Sequence, residues 1–188
     1  MRLMLRSSAA LALAVAAIAA GLASPAAAAP AGAQAAAVTY TQTSLNLGLR
    51  LTNSNAGTVV ASKPASGDAR QRWVEPGRTV YVNGAAKSGY ELRPADNSAY
   101  CVTDQGVNQR VTLTSCGSLA TQVWQWVPGR SVNGKSYMFW VNAQTGGKLM
   151  FDTFTSEGSY PSFTVISSGT KYTPGTAGEA CQLWFESQ

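Results

Sequence analysis

The triplets Gln71-Arg72-Trp73, Gln122-Val123-Trp124 and Gln182-Leu183-Trp184 repeat one pattern, a glutamine followed two positions later by a tryptophan. In an extended chain, residues two positions apart point to the same face. The tryptophans are therefore predicted to fill a core. The glutamines are predicted to hydrogen-bond nearby backbone groups, because a buried amide needs partners. The triplets thus predict a strand-based fold built from three copies of one unit.

The sequence upstream of each triplet repeats as well. The segments 40–53, 90–104 and 137–152 each open on tyrosine and close on asparagine or aspartate. The closing residue precedes the triplet glutamine by 18 positions in the first two copies and by 30 in the third. The third copy is therefore predicted to carry about 12 extra residues. We place this insertion in the Gly- and Thr-rich stretch 169–178.

Short β-branched and aromatic runs alternate with Gly, Asn, Ser and Pro about every 8 to 12 residues, which predicts an all-β fold. Pro76-Gly77 and Pro128-Gly129 follow the first two triplets and are predicted to be turns. Residues 38–188, about 150 in all, suit one domain with one core. We assign that domain to residues 38–188, with repeats at about 38–78, 79–130 and 131–188.

A secretory signal peptide is predicted over residues 1–29. Arg2 and Arg6 precede an alanine-rich apolar run, and small residues suited to cleavage follow it. A membrane anchor would need about 20 strongly apolar residues, more than this run supplies. Residues 30–37 would remain as an Ala-rich leader. We expect a secreted, extracellular, monomeric protein that does not associate with membranes.

The composition argues against several functional classes. Without Arg2 and Arg6, 12 Lys and Arg stand against 9 Asp and Glu, all scattered along the chain. Nucleic-acid binding usually shows a concentrated basic face, so we do not predict it. The chain has no histidine, which excludes Ser-His-Asp and Cys-His catalysis and the usual zinc sites. The acids form no recognisable pair for glycoside hydrolysis. We expect no enzymatic activity, no metal and no cofactor.

The three cysteines agree with export. Cys101 and Cys116 are 15 positions apart and are predicted to form a local disulfide in an oxidising compartment. Cys181 is left over, and it is either buried and inert or available to pair between molecules. We favour burial, because it adjoins a core triplet.

Taken together, the triplets, the cysteine pair and the unit length resemble the ricin-B-type lectin family, whose fold is the β-trefoil. The resemblance covers residues 38–188 and implies non-catalytic binding of galactose-type sugars or other glycans. Sugar-binding repeats of that family place an Asp two positions after the first Cys and an aromatic residue two positions before the second. Thr103 and Thr114 stand at those positions here. The resemblance therefore predicts the fold more directly than the sugar chemistry.

Asn53, Asp104 and Asp152 stand one position after the family's Asp position when the copies are aligned on their closing residues. They either start the turn after a strand, satisfying backbone donors, or face a shallow pocket and bind ligand hydroxyls. The third copy also has the most aromatic residues, and tyrosine offers a sugar an apolar face with a polar tip. We place the candidate glycan site at Asp152 and Tyr160 with support from Gln182, and we name Asp104 as a further ligand-binding candidate.

Two alternatives to a lectin stay open. One is a β-trefoil that binds protein, such as a secreted protease inhibitor that presents the loop 169–178. The other is a β-trefoil that has kept its fold and lost its sugar site.

Overall fold

The computed structural model describes residues 37–54, 60–156 and 163–188. The predicted signal peptide, all but the last residue of the predicted leader, and Tyr160 lie outside these ranges. The described residues are built almost entirely from β-strands, so the all-β prediction is confirmed.

Fifteen strands are formed by the described residues. In chain order they are β1 (Thr41–Ser44), β2 (Arg50–Asn53), β3 (Val60–Lys63), β4 (Trp73–Val74), β5 (Gly77–Val82), β6 (Ala85–Tyr90), β7 (Arg93–Pro94), β8 (Tyr100–Thr103), β9 (Gln109–Arg110), β10 (Thr112–Ser115), β11 (Trp124–Val132), β12 (Lys135–Asn142), β13 (Lys148–Ser156), β14 (Phe163–Ser168) and β15 (Trp184–Ser187). Two 3-10 turns, Ala69–Gln71 and Ala120–Gln122, and the helix α1, Ala177–Ala180, precede the strands that carry the triplet tryptophans.

The chain closes on itself because its first and last strands pair. β1 runs antiparallel to β15, with Ser44 opposite Trp184. Each third of the chain also forms an antiparallel pair ahead of its triplet, namely β2–β3, β8–β10 and β13–β14. The result is three similar units arranged in sequence.

The triplet tryptophans occupy the same place in all three units. Each is fully buried, and each indole Nε1 donates to a main-chain carbonyl of the strand that starts the preceding pair. The donor and acceptor residues are Trp73 and Leu51 (3.0 Å), Trp124 and Val102 (2.9 Å), and Trp184 and Leu149 (2.8 Å). This bond removes the cost of burying the indole N–H and sets a common register for the repeats.

The triplet glutamines do not have the extended backbone that the sequence analysis predicted for them. Gln71 and Gln122 each end a 3-10 turn, and the strand begins only at the following tryptophan. The turn forms because the amide of the middle residue donates to a carbonyl three residues back, Arg72 to Ala69 (3.0 Å) in the first copy. Local backbone hydrogen bonding therefore overrides the strand pattern at the glutamine.

The Pro-Gly pairs are not the turns that were predicted. β5 begins at Gly77, and β11 continues through Pro128 with a bulge before Ser131. The chain reverses instead at Asn83-Gly84 and Asn133-Gly134, where both residues have positive φ (50° and 80°, 50° and 75°). Two-residue hairpin turns need positive φ at both positions, and Asn-Gly supplies it.

The extra residues of the third copy lie in two places rather than one. Leu149 pairs with Ser167, 18 positions on, whereas Val102 pairs with Leu113, 11 positions on. Part of the insertion therefore lengthens the connection between β13 and β14. The remainder lies between Ser167 and Trp184, in the predicted 169–178 region and helix α1.

Candidate functional site

The register of the repeats moves Asp152 away from its predicted equivalents. Counting from the carbonyls that accept the indole bonds, the residue two positions on is Asn53 in the first copy, Asp104 in the second and Phe151 in the third. Phe151 is fully buried. Because a shift of one residue turns a strand side chain to the other face, the predicted equivalence of Asp152 with Asp104 is wrong.

Of the site predicted in the third copy, the structure describes Asp152 and Gln182. Asp152 is half-buried on β13, whereas Gln182 is fully buried. The Gln182 side-chain nitrogen donates to the Thr170 carbonyl (3.0 Å), as the other two triplet glutamines donate to nearby loop carbonyls. Tyr160 lies outside the described residues. Gln182 is thus placed to support the fold, and a role for Asp152 in ligand binding stays a prediction.

Asp104, by contrast, stands at the floor of an open cleft in the second copy. It follows strand β8, and its amide donates to the Thr121 carbonyl (2.9 Å). Its Oδ1 accepts the Gly106 amide (2.8 Å), which forms the aspartate turn that the sequence suggested. Its Oδ2 accepts the hydroxyl of Ser167 (2.9 Å) and that of Thr145.

These contacts fix the carboxylate between two units of the chain. Asp104 belongs to the second copy, whereas Thr145 and Ser167 belong to the third. Only 3% of Asp104 is exposed, yet the residue lines the cleft. A carboxylate has about four acceptor positions, and three are used. These three bonds leave one acceptor position on Oδ1 without a partner among the hydrogen bonds of the described residues.

The cleft, which we call the Asp104 cleft, has a volume of about 770 Å³. Hydroxyl and amide side chains predominate around it, with Leu119 as its exposed apolar residue (54% exposed). The lining residues are Thr103, Asp104, Gln105, Gly106, Thr114, Ser115, Leu119, Thr121 and Thr145. This lining suits a ligand that carries many hydroxyl groups and also has a small apolar face.

The two threonines aligned with the sugar-binding positions of ricin-B-type lectins lie side by side in this cleft. The hydroxyls of Thr103 and Thr114 are 2.7 Å apart, and the Gln122 side-chain nitrogen donates to Thr114 (2.9 Å). A disulfide joins Cys101 to Cys116 beside them and so ties β8 to the end of β10. The wall of the cleft is therefore rigid, and its carboxylate comes from Asp104, one position later than in the family pattern.

Sequence reasoning missed Thr145 and Leu119 as parts of this site. Thr145 comes from the turn that follows β12, about 40 residues after Asp104, and no local pattern links the two. Leu119 lies just before the second 3-10 turn. The exposure of this leucine could be inferred only once that turn was known.

A second polar centre brings together two acids that are far apart in the sequence, Glu75 and Glu186. Gln42 is buried, and its side-chain nitrogen donates to Glu75 Oε1 (2.6 Å) and Glu186 Oε2 (3.2 Å). Its carbonyl accepts the Trp140 indole N–H (3.0 Å). Burial, followed by the hydrogen bond and the negative charge of Glu186, raises the pKa of Glu75 to about 9. The Glu75 carboxyl therefore keeps its proton at neutral pH and can donate it in a hydrogen bond to Glu186.

This acid pair does not match the geometry of a glycoside hydrolase. Glu75 and Glu186 hydrogen-bond each other directly, whereas retaining hydrolases hold their carboxyl groups about 5 Å apart and inverting ones further. The pair is separated by 111 positions in the sequence, which is why it was not predicted. Its position, two residues after a triplet tryptophan in the first and third copies, is occupied in the second by Trp126.

Cys181 is buried (3% exposed) and is not in a disulfide. Burial raises the pKa of its thiol, the Asn46 amide that donates to its sulfur (3.2 Å) lowers it, and the charge of Asp152 raises it further. A thiol held in its protonated form is a poor nucleophile. The described residues contain no group of three or more His, Cys, Asp or Glu placed to bind a metal ion. None of their helices is long and apolar enough to cross a membrane.

Solved structures with the same architecture identify the fold as a β-trefoil. The designed threefold-symmetric protein ThreeFoil matches with a TM-score of 0.57 and 20% identity, over 80% of this chain and 98% of that one. A ricin B-like lectin from Macrolepiota procera, solved with lactose, matches with a TM-score of 0.56 and 16% identity, over 81% and 96% of the two chains. The protein SeviL, bound to asialo-GM1 saccharide, matches with a TM-score of 0.55 and 10% identity, over 80% and 96%.

No protein-family model matches the sequence, and no curated protein matches it. The structural likeness thus establishes the β-trefoil fold, and the chemistry of this chain has to be argued from its own residues.

Proposed function

We propose that this protein is a secreted, non-catalytic carbohydrate-binding β-trefoil of the ricin-B-like type, and that the Asp104 cleft is its glycan site. The observation that carries the proposal is a fixed, nearly buried carboxylate at the floor of an open cleft lined by hydroxyls. Two solved proteins of the same fold hold saccharides, lactose in one and asialo-GM1 saccharide in the other. The predicted signal peptide supports an extracellular glycan as the partner.

The chemistry of recognition follows from the cleft lining. A sugar hydroxyl donates to the open position on Asp104 Oδ1, and a charge-assisted bond of this kind is stronger than a neutral one. Thr121 and Gln105 provide further polar groups for neighbouring hydroxyls. Leu119 covers an apolar patch of the sugar ring. Because the cleft is open and none of its described lining residues is aromatic, we expect weak binding to one ring.

Binding, rather than hydrolysis, is favoured by the acids at the cleft. Asp104 is the one carboxylate among its described lining residues. Hydrolysis of a glycosidic bond ordinarily needs two carboxyl groups on either side of the bond.

The test is a binding assay on a panel of neutral mono- and oligosaccharides, read by isothermal titration calorimetry. Leu119→Ala removes the exposed apolar contact and is expected to weaken binding about fivefold, the equivalent of about 1 kcal/mol. Leu47→Ala is the matched control, because Leu47 is similarly exposed (58%) and lies outside the cleft. Equal binding by both variants, or no binding of any sugar together with inhibition of a protease, would refute the glycan site.

A further inference from the structure

The hairpin formed by β5 and β6 presents an uncharged face with two tyrosines to solvent. Alternate residues of paired strands share a face, and Tyr81 and Tyr90 are 77% and 39% exposed. The residues on this face, given as cross-strand pairs, are Gly77 and Tyr90, Thr79 and Ser88, and Tyr81 and Ala86.

The two rings are accessible and lie at opposite ends of the face. Tyr90 contacts Trp140 edge-on, with ring centroids 6.1 Å apart, so its orientation is fixed from below. Its cross-strand partner is Gly77, which has no side chain to cover the ring. Between the tyrosines, the hydroxyls of Thr79 and Ser88 are 2.9 Å apart. Along the hairpin the order is therefore the Tyr90 ring, the hydroxyl pair of Thr79 and Ser88, and the Tyr81 ring.

Two neighbouring clefts lie beside these tyrosines and hydroxyls. A cleft of about 340 Å³ adjoins Tyr90, and a cleft of about 300 Å³ adjoins Tyr81. Both are lined by Arg78 and Thr79, so they are neighbours along β5. We call them together the hairpin furrow. Tyr81 pairs with Ala86, four residues from Tyr90, which places the rings about 14 Å apart along the strand. A single sugar ring does not span this distance.

The furrow also adjoins the Asp104 cleft. Leu119 and Thr121 line that cleft, whereas Ser118 and Ala120, which alternate with them in sequence, line the Tyr81 end of the furrow. One short segment is thus a wall of both.

The charges favour an uncharged ligand. Arg78 is the one charged residue among the described residues that line the furrow. Its Nη2 donates to Ser118 Oγ (2.7 Å), and its Nε lies 3.7 Å from the carboxylate of buried Glu91. That carboxylate is shared with Arg93, so it offsets part of the charge of Arg78. Tyrosine faces interspersed with hydroxyls suit the apolar faces and hydroxyl groups of successive sugars.

We propose that the hairpin furrow is a second carbohydrate-binding surface, which takes an extended, uncharged polysaccharide chain with one sugar stacked on Tyr90 and another on Tyr81. The inference rests on the proposed function in that the ligand is a glycan, but it uses none of the residues of the Asp104 cleft.

The experiment compares three variants by native affinity electrophoresis in gels that contain glucomannan, xyloglucan, β-glucan or galactan, with heparin as the charged comparison. Tyr81→Ala removes a ring that the fold does not need, and it is expected to lower the affinity for the neutral polysaccharide about tenfold, which corresponds to about 1.4 kcal/mol. Tyr81→Phe keeps the ring and is expected to retain most of the affinity. Leu119→Ala reports on the Asp104 cleft alone.

The outcomes separate the two sites. Loss of retardation with Tyr81→Ala but not with Tyr81→Phe supports the furrow, whatever Leu119→Ala does. Unchanged retardation with Tyr81→Ala overturns it, and if Leu119→Ala then weakens binding the Asp104 cleft stands alone. Retardation of the native protein by heparin and by none of the neutral polysaccharides also overturns the proposal.

Discussion

Replacing Glu75 by glutamine is expected to stabilise the protein at neutral pH, which is unusual for a change at a largely buried position. Glu75 lies beside Gln42 and Glu186, and its pKa is raised from 4.5 to about 9, so it keeps its proton at neutral pH. Glutamine has the shape of the protonated acid. Its carbonyl can still accept from Gln42, and its amide can donate to Glu186.

The magnitude follows from the difference between the folded and unfolded pKa values. A raised folded pKa means that the folded state holds a proton the unfolded state releases, so stability is greatest below pH 4.5 and declines as the pH rises towards about 9. Each pH unit in that window costs about 1.4 kcal/mol. Between pH 4.5 and pH 7 the native protein is expected to lose about 3 kcal/mol that Glu75→Gln does not lose.

The assay is urea unfolding at pH 4, 5.5, 7 and 8.5, with the free energy of unfolding compared between native protein and variant. The two are expected to agree at pH 4 and to diverge in favour of Glu75→Gln as the pH rises. Glu91→Gln is the matched control, because Glu91 is also buried but accepts from Arg93 Nε (3.0 Å); its loss is expected to destabilise at pH 7. If the free energies of unfolding of Glu75→Gln and the native protein change in parallel with pH, the raised pKa of Glu75 is refuted.

Three further predictions concern the fold. Trp124→Ala is expected to cost about 3–5 kcal/mol in chemical unfolding, and a near-neutral result would mean that this triplet does not anchor the core. The double variant Cys101→Ala/Cys116→Ala is expected to lose about 3 kcal/mol, and dithiothreitol should weaken the native protein by a similar amount while leaving the variant unchanged. Gly84→Ala places a side chain at φ 80° in the β5–β6 turn and is expected to cost about 1–2 kcal/mol, measured as a fall in Tm; an unchanged Tm would contradict the assigned turn.

The fold could be predicted from the sequence because the residues that repeat have large, buried side chains. Trp73, Trp124 and Trp184 each need a core position and a hydrogen-bond acceptor, and three such residues in register leave few architectures open. The hairpin turns could also have been predicted, because Asn83-Gly84 is a strong local turn signal. The sequence analysis placed the turns at the Pro-Gly pairs instead. The position of the insertion could not be predicted. The spacing between the closing residue and the triplet glutamine gives the length of the insertion but not its division between two loops.

The candidate site was accessible only in part. Asp104 stands out as a carboxylate after a strand, but the donors that fix it, Thr145 and Ser167, come from the next repeat. Asp152 was favoured because it ends a segment like that of Asp104, and only the indole bond to Leu149 shows that the third register is displaced by one residue. The pairing of Glu75 with Glu186 joins strands from opposite ends of the chain and has no signal in local sequence.

The most direct test of the glycan site is a titration of the ¹⁵N-labelled protein with lactose and longer neutral oligosaccharides, followed by amide chemical shifts. The account predicts that the largest changes fall on residues of the Asp104 cleft, with Gln105, Leu119 and Thr145 among them. Changes confined to the loop 169–178, or no change with any sugar of the panel, would contradict the assignment of this β-trefoil as a carbohydrate-binding protein through Asp104.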